Sequence, residues 1–275
     1  MTQLVPDPPG FETEQIPRSR YRVCRFAFAL GAVALGCQSA QIVLHLYASF
    51  SGDPRIEQLI GQQVWQFWIG PPITFGAALS SYLLIGRFPD ETWNRRAIML
   101  AAMNTFDIGL WLSDHSQELN LLHPVLLWVQ HPLAREGVQV LQWFELGLFM
   151  ALASDLIRHL GRESAIDLQR TGRATAVFGL LAWLVGYIML YARASGLVRA
   201  RGRGHWRFIR QYYMLNLLTR LLLAMTAFQA TVLCALASRD CVQLLSELDA
   251  GQREREYGGG FADDTAKGKQ RDPWG

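Results

Sequence analysis

The sequence predicts an all-α, polytopic membrane protein, a bundle of about six transmembrane helices. Three observations carry this. Apolar residues make up 51% of the 275 and charged residues only 18%. The apolar residues gather in blocks near the roughly 20 residues that a bilayer-spanning helix needs. Arginines cluster at the block ends, where they set topology or touch anionic headgroups. Mean hydropathy is only +0.11 because both tails are polar. A net charge of +3 is too small to suggest a nucleic-acid partner. Three regions follow: a disordered tail with a basic flank (1–23), a transmembrane helical domain (24–237), and a short amphipathic segment with a disordered tail (238–275).

Residues 1–17, MTQLVPDPPGFETEQIP, are polar and Pro-rich without apolar period. Arg18, Arg20, Arg22 and Arg25 then flank the first apolar block, about 24–48. Ala34-Leu35-Gly36-Cys37 imperfectly resembles a bacterial lipoprotein cleavage box, but the apolar run continues to Ala48. The block therefore reads as a span and not as a cleaved leader. Its basic flank places the N-terminus in the cytoplasm, with the chain in a bacterial-type inner or plasma membrane.

Helix two, about 62–86, is interrupted by Gly70-Pro71-Pro72. Those prolines deprive the carbonyls of Phe67 and Trp68 of their helical donors, so a kink is expected. Broken helices of this kind form binding sites in some transporters. Helix three is about 97–113. The following stretch contains LLHPVLLWVQHPL, too short to span and broken by proline. It reads as an interfacial or re-entrant segment, with Trp128 at headgroup level. Helix four is about 138–158, helix five about 174–192, and helix six about 215–237. Helix five is basic on both flanks, which conflicts with the positive-inside rule. A seventh crossing through LLHPVLLWVQHPL would move the conflict elsewhere without removing it. Length favours six.

The stretch Arg193–Arg210 alternates arginines with Trp206 and Phe208 and leads into Tyr212 and Tyr213. An interfacial helix on anionic lipid explains it with fewer assumptions than a nucleic-acid module. Cys24, Cys37, Cys234 and Cys241 have no metal-ligand spacing and read as small apolar residues. Hydrolase, kinase and dehydrogenase motifs are missing from the chain.

Polar residues inside the apolar blocks carry the functional signal. Gln38, Gln41 and His45 share one face of helix one, and Gln62 and Gln66 sit one turn apart in helix two. Asn104, Asp107, Trp111 and Asp114 line one face of helix three, and Gln139, Gln142 and Glu145 one face of helix four. Facing lipid, such stripes would be costly, so they should face one another or a water-filled cavity. Arg220 of helix six is expected to pair with Asp107 or Glu145. His45, Asp114, His115, His123 and His131 would crowd the same outer end, where imidazole and carboxylate suit zinc, iron, copper or proton relay. Haem held by histidines is a further option, with His45 alone well inside a span.

Two functional readings follow. One is a non-enzymatic transport, binding or scaffold protein with a polar vestibule in the outer half of the bilayer, as a homo-oligomer or in a membrane complex. The other is a membrane-embedded metal- or haem-dependent enzyme at the outer face. No cofactor is favoured by the sequence.

Overall fold

The computed structural model describes residues 17–51, 70–114, 132–162, 166–195 and 203–267. Side chains are described in these ranges except at 113–114, 132–138, 194, 203–206 and 252–267. The described residues form six helices and no strand: α1 (Arg18–Ser51), α2 (Gly70–Leu84), α3 (Glu91–Asp114), α4 (Pro132–His159), α5 (Ile166–Ala194) and α6 (Arg203–Lys267).

Local chemistry sets the ends. Pro71 and Pro72 belong to α2, whose first described residue is Gly70. Residues 52–69 lie outside the described ones, so the expected break above Gly70 does too. Gly86, at φ 69°, takes the left-handed conformation that closes α2, and its N–H donates to Asn94 Oδ1 at 2.9 Å. Asp90 caps α3, its Oδ1 accepting from the Thr92 N–H at 2.9 Å. Pro132 is the first described residue of α4, and Gly161, at φ 71°, follows its end.

Several boundaries extend beyond the sequence reading. Basic residues from Arg18 onward belong to α1, and part of LLHPVLLWVQHPL opens α4. The largest correction concerns α6, which runs unbroken through the expected amphipathic segment CVQLLSELDA, 241–250, and on to Lys267. Cys241 and Leu245 are buried, Asp240 accepts from Arg162, and Arg18 pairs with Asp249 at 3.2 Å. Tertiary partners hold this segment in the helix, which periodicity alone could not show. The second half of the Arg193–Arg210 stretch opens the same helix.

Successive helices run antiparallel. α1 meets α2 where the Ser80 hydroxyl donates to Ala27 O at 2.8 Å, and a Cβ on Gly31 would lie 2.8 Å from Ser80 Oγ. Phe75–Trp111 and Tyr82–Thr105 set α2 against α3. Arg96–Asp155 and Asp107–Glu145 set α3 against α4 in one consistent register. Arg158–Gln169 joins α4 to α5, and Arg193 lies over the Phe208 ring between α5 and α6. α6 then returns beside α1, through Ser39–Ala224 and Ser238–Arg25. Helices α1, α2, α3, α4 and α6 close a ring, and α5 packs outside it against α4 and α6.

The α1–α6 seam is built from small side chains. Ala224, Ala227, Ala230, Cys234, Ala237 and Cys241 recur every three or four residues, all buried, so the two helices approach closely. Cys24, Cys234 and Cys241 serve as buried small residues, while Cys37 is exposed. Near the N-terminus of α1, Tyr21, Phe28, Phe88, Trp93 and His159 form an aromatic plug.

Four helical stretches are long and apolar enough to cross a membrane: Arg18–Ser51, Gln139–His159, Ile166–Arg193 and Arg207–Gly251. α2 has 15 described residues, and α3 carries Glu91, Arg95, Arg96, Asp107 and Asp114. The exterior bears large apolar side chains, among them Val33, Phe50, Phe178, Ile188 and Phe228. Only 6% of the apolar window of α5 is buried inside the bundle. An exterior this apolar is compatible with a membrane location and would be a liability in water.

Candidate functional site

The ring encloses a cavity of about 580 Å³ at the end opposite the aromatic plug. α1 lines it with Gln38, Gln41 and His45, and α3 with Asn104, Asp107 and Trp111. α4 supplies Gln139, Gln142 and Glu145, and α6 supplies Arg220. α2 contributes Gly70, Ile73, Thr74 and Ala77, a small-residue face that leaves room. On each of the first four helices the lining spans about two turns, so the cavity is roughly 10 Å deep at 1.5 Å per residue. α5 takes no part in the lining.

Helical periodicity alone brings these groups together. Spacings of three, four and seven residues put Gln38, Gln41 and His45 on one stripe. The same rule aligns Asn104, Asp107 and Trp111, and also Gln139, Gln142 and Glu145. The closed ring turns all three stripes inward. Gln62 and Gln66, the expected stripe of helix two, lie outside the described residues. Thr74 was not singled out from the sequence, because one threonine beside two prolines gives no periodic signal.

Glu145 is 4% exposed and Asn104 1%, so the floor is close-packed. Asn104 Nδ2 donates along its own helix to Leu100 O at 2.9 Å. Asp107 and Glu145 are hydrogen-bonded to one another across the α3–α4 interface. A bond between two carboxyl groups requires a proton on at least one of them, so the pair carries at most one negative charge. Trp111 sits one turn above Asp107 and packs edge-on against Phe75, ring centroids 6.1 Å apart.

The expected pairing of Arg220 with an acid is not what the structure contains. Arg220 donates from Nε to Asn216 Oδ1 at 3.2 Å, a contact along its own helix. It forms no ion pair with Asp107 or Glu145. The reason is positional. Arg220 leaves α6 on the side next to α1, close enough to His45 for their charges to interact. The carboxyl groups occupy the α3–α4 side. Within the ring α6 adjoins both α1 and α4, yet its guanidinium forms no ion pair with either carboxyl group.

Of the expected metal ligands, His45 is the one whose side chain is described, and it lies at the cavity. Asp114 closes α3 with its side chain outside the described residues, as are His115, His123 and His131 altogether. Among the described residues, no three His, Cys, Asp or Glu side chains converge.

No protein-family model, curated protein or solved structure matches the chain. Its function has to be argued from the cavity.

A second polar cluster was not legible beforehand. At the opposite end Asp240, 1% exposed, accepts from Arg162 and Arg239 at 3.3 and 3.2 Å. Arg162 also donates to Gln243 and pairs with Glu247. The sequence placed Asp240 in a surface segment, and only the extended α6 buries it.

Proposed function

We propose that the chain is an integral membrane protein of six spans that binds a small polar solute for transport, without covalent chemistry. One observation carries this reading: amides, two acids, a histidine and an arginine line a single cavity inside a bundle whose exterior is apolar. Its volume falls in the range of small-molecule sites. Polar side chains that merely hold helices together would be expected to close on one another; here they stand around open space.

The six-span reading is supported by the register of α3 and α4. Both Arg96–Asp155 and Asp107–Glu145 require the helices to be antiparallel, with the end of α3 and the start of α4 on the same side. The segment between them then makes no net crossing, which disfavours a seventh span. With a cytoplasmic N-terminus, the vestibule opens to the outside. Reporter fusions should place residues 90 and 165 in the cytoplasm and residues 55 and 125 outside.

The vestibule itself is tested by thiol accessibility. In a cysteine-free background, Gln142→Cys in sealed vesicles should react with a membrane-impermeant maleimide, whereas Val185→Cys, on the apolar exterior, should not. Equal silence at both positions would remove the open vestibule and the solute-binding reading with it.

A further inference from the structure

The charges of the vestibule are segregated rather than neutralised. Asp107 and Glu145 stand on the α3–α4 wall, and Arg220 and His45 on the α1–α6 wall, with no ion pair between the two sides. With a single proton between them the two carboxyl groups would carry one negative charge, equal and opposite to the one guanidinium. A neutral site with its charges held apart is complementary to a ligand whose charges are also held apart. Trp111, one turn from Asp107, adds an indole to the acidic wall, the surface that attracts an ammonium. The amides of Gln38 on α1 and Gln142 on α4, which also line the cavity, can donate and accept.

From this we infer that the vestibule takes a small zwitterionic solute, its ammonium on the Asp107–Glu145 wall and its anionic group on the Arg220–His45 wall. A simple cation would leave the guanidinium without an anion, and a simple anion would leave the carboxyl pair without a cation. Either would bury a charge opposite an unmatched one. The inference rests on the solute-binding reading and names its ligand class.

Calorimetry on the full chain in lipid nanodiscs tests it, with glycine, γ-aminobutyrate and ε-aminocaproate as zwitterions of increasing reach. Butylamine and butyrate serve as the separated halves. At least one zwitterion should bind at least about tenfold more tightly than either half, the loss expected when one charge-assisted contact is removed. Arg220→Gln should bring the zwitterion down to the level of butylamine. Arg220 is exposed and, among the described residues, its side chain bonds to Asn216 on its own helix, so Gln there disturbs no contact between helices. The double variant Asp107→Asn, Glu145→Gln should bring it down to the level of butyrate. Binding of butylamine or butyrate as tightly as the best zwitterion would overturn the inference and leave a solute site of another charge class. Silence from all five probes, with Gln142→Cys still accessible, would also overturn it while sparing the vestibule.

Discussion

Asp107→Asn separates the architecture described here from the ion pair that the sequence suggested. Were Asp107 the partner of a buried arginine, removing its charge would strand that arginine and cost about 3–5 kcal/mol. The structure gives a different sum. Asp107 is hydrogen-bonded to Glu145 and forms no ion pair with Arg220, so its replacement strands no contacting cation. Asparagine keeps nearly the same volume, and its NH₂ can donate to Glu145 in place of the carboxyl proton. One bond is replaced by another, and the expected loss is within about 1 kcal/mol. Asp107→Leu removes the bond and leaves Glu145, 4% exposed, without its partner, at a cost of roughly 1–3 kcal/mol. For a chain of this size about 1 kcal/mol shifts the midpoint by roughly 2–4 °C. Thermal unfolding in detergent should therefore place Asp107→Asn within a few degrees of the parent and Asp107→Leu clearly below it. A large loss in Asp107→Asn that Arg220→Gln restores would refute the carboxyl pair.

Other outcomes follow from the packing. Gly179→Ala would place a Cβ inside the Trp143 ring, an overpacking worth about 1–3 kcal/mol that outweighs the roughly 1 kcal/mol of helix propensity gained. Gly147→Ala meets nothing within 4 Å and should raise the unfolding midpoint, so equal midpoints for the two variants would contradict the packing. Arg162→Gln should destabilise by about 1–3 kcal/mol because buried Asp240 loses a donor, and no change in midpoint would count against that network. Replacing His115, His123 and His131 together should leave the metal content of purified protein at background, whereas a loss of bound metal would revive the metalloenzyme reading.

What the sequence disclosed and what it hid have separate physical causes. The stripes on α1, α3 and α4 were legible because a helix maps spacing directly onto a face, and a polar face within an apolar block demands inward placement. Which residue would meet which was not legible. Helical period says nothing about which helices become neighbours or how each is rotated, and these decide that Arg220 lies by His45 while Asp107 meets Glu145. The ends of α1 and α6 were hidden for another reason. Arginine-rich and acidic stretches read as solvated flanks, yet Arg18 with Asp249 and Arg162 with Asp240 join those flanks to each other. Long-range charge pairs leave no local signature in a chain read one window at a time.

The two ends of the bundle differ in how they are held, and that difference bears on how a solute would travel. At the vestibule end, Gly70, Thr74 and Ala77 keep the ring open, and the polar groups face space. At the other end the aromatic plug of Tyr21, Phe88, Trp93 and His159 fills the centre. Around it, Arg96–Asp155, Arg162–Asp240 and Arg18–Asp249 tie α3 to α4, the end of α4 to α6, and α1 to α6. Passage through the protein would have to part those pairs and move the plug, whereas release to the vestibule side needs neither. A binding protein that only captures solute would leave the plugged end untouched. A transporter would have to alternate between the two ends, so weakening the plug with Trp93→Ala should alter flux across proteoliposomes more than binding at the vestibule. Loss of binding and flux in equal measure would instead mark Trp93 as part of the fold alone.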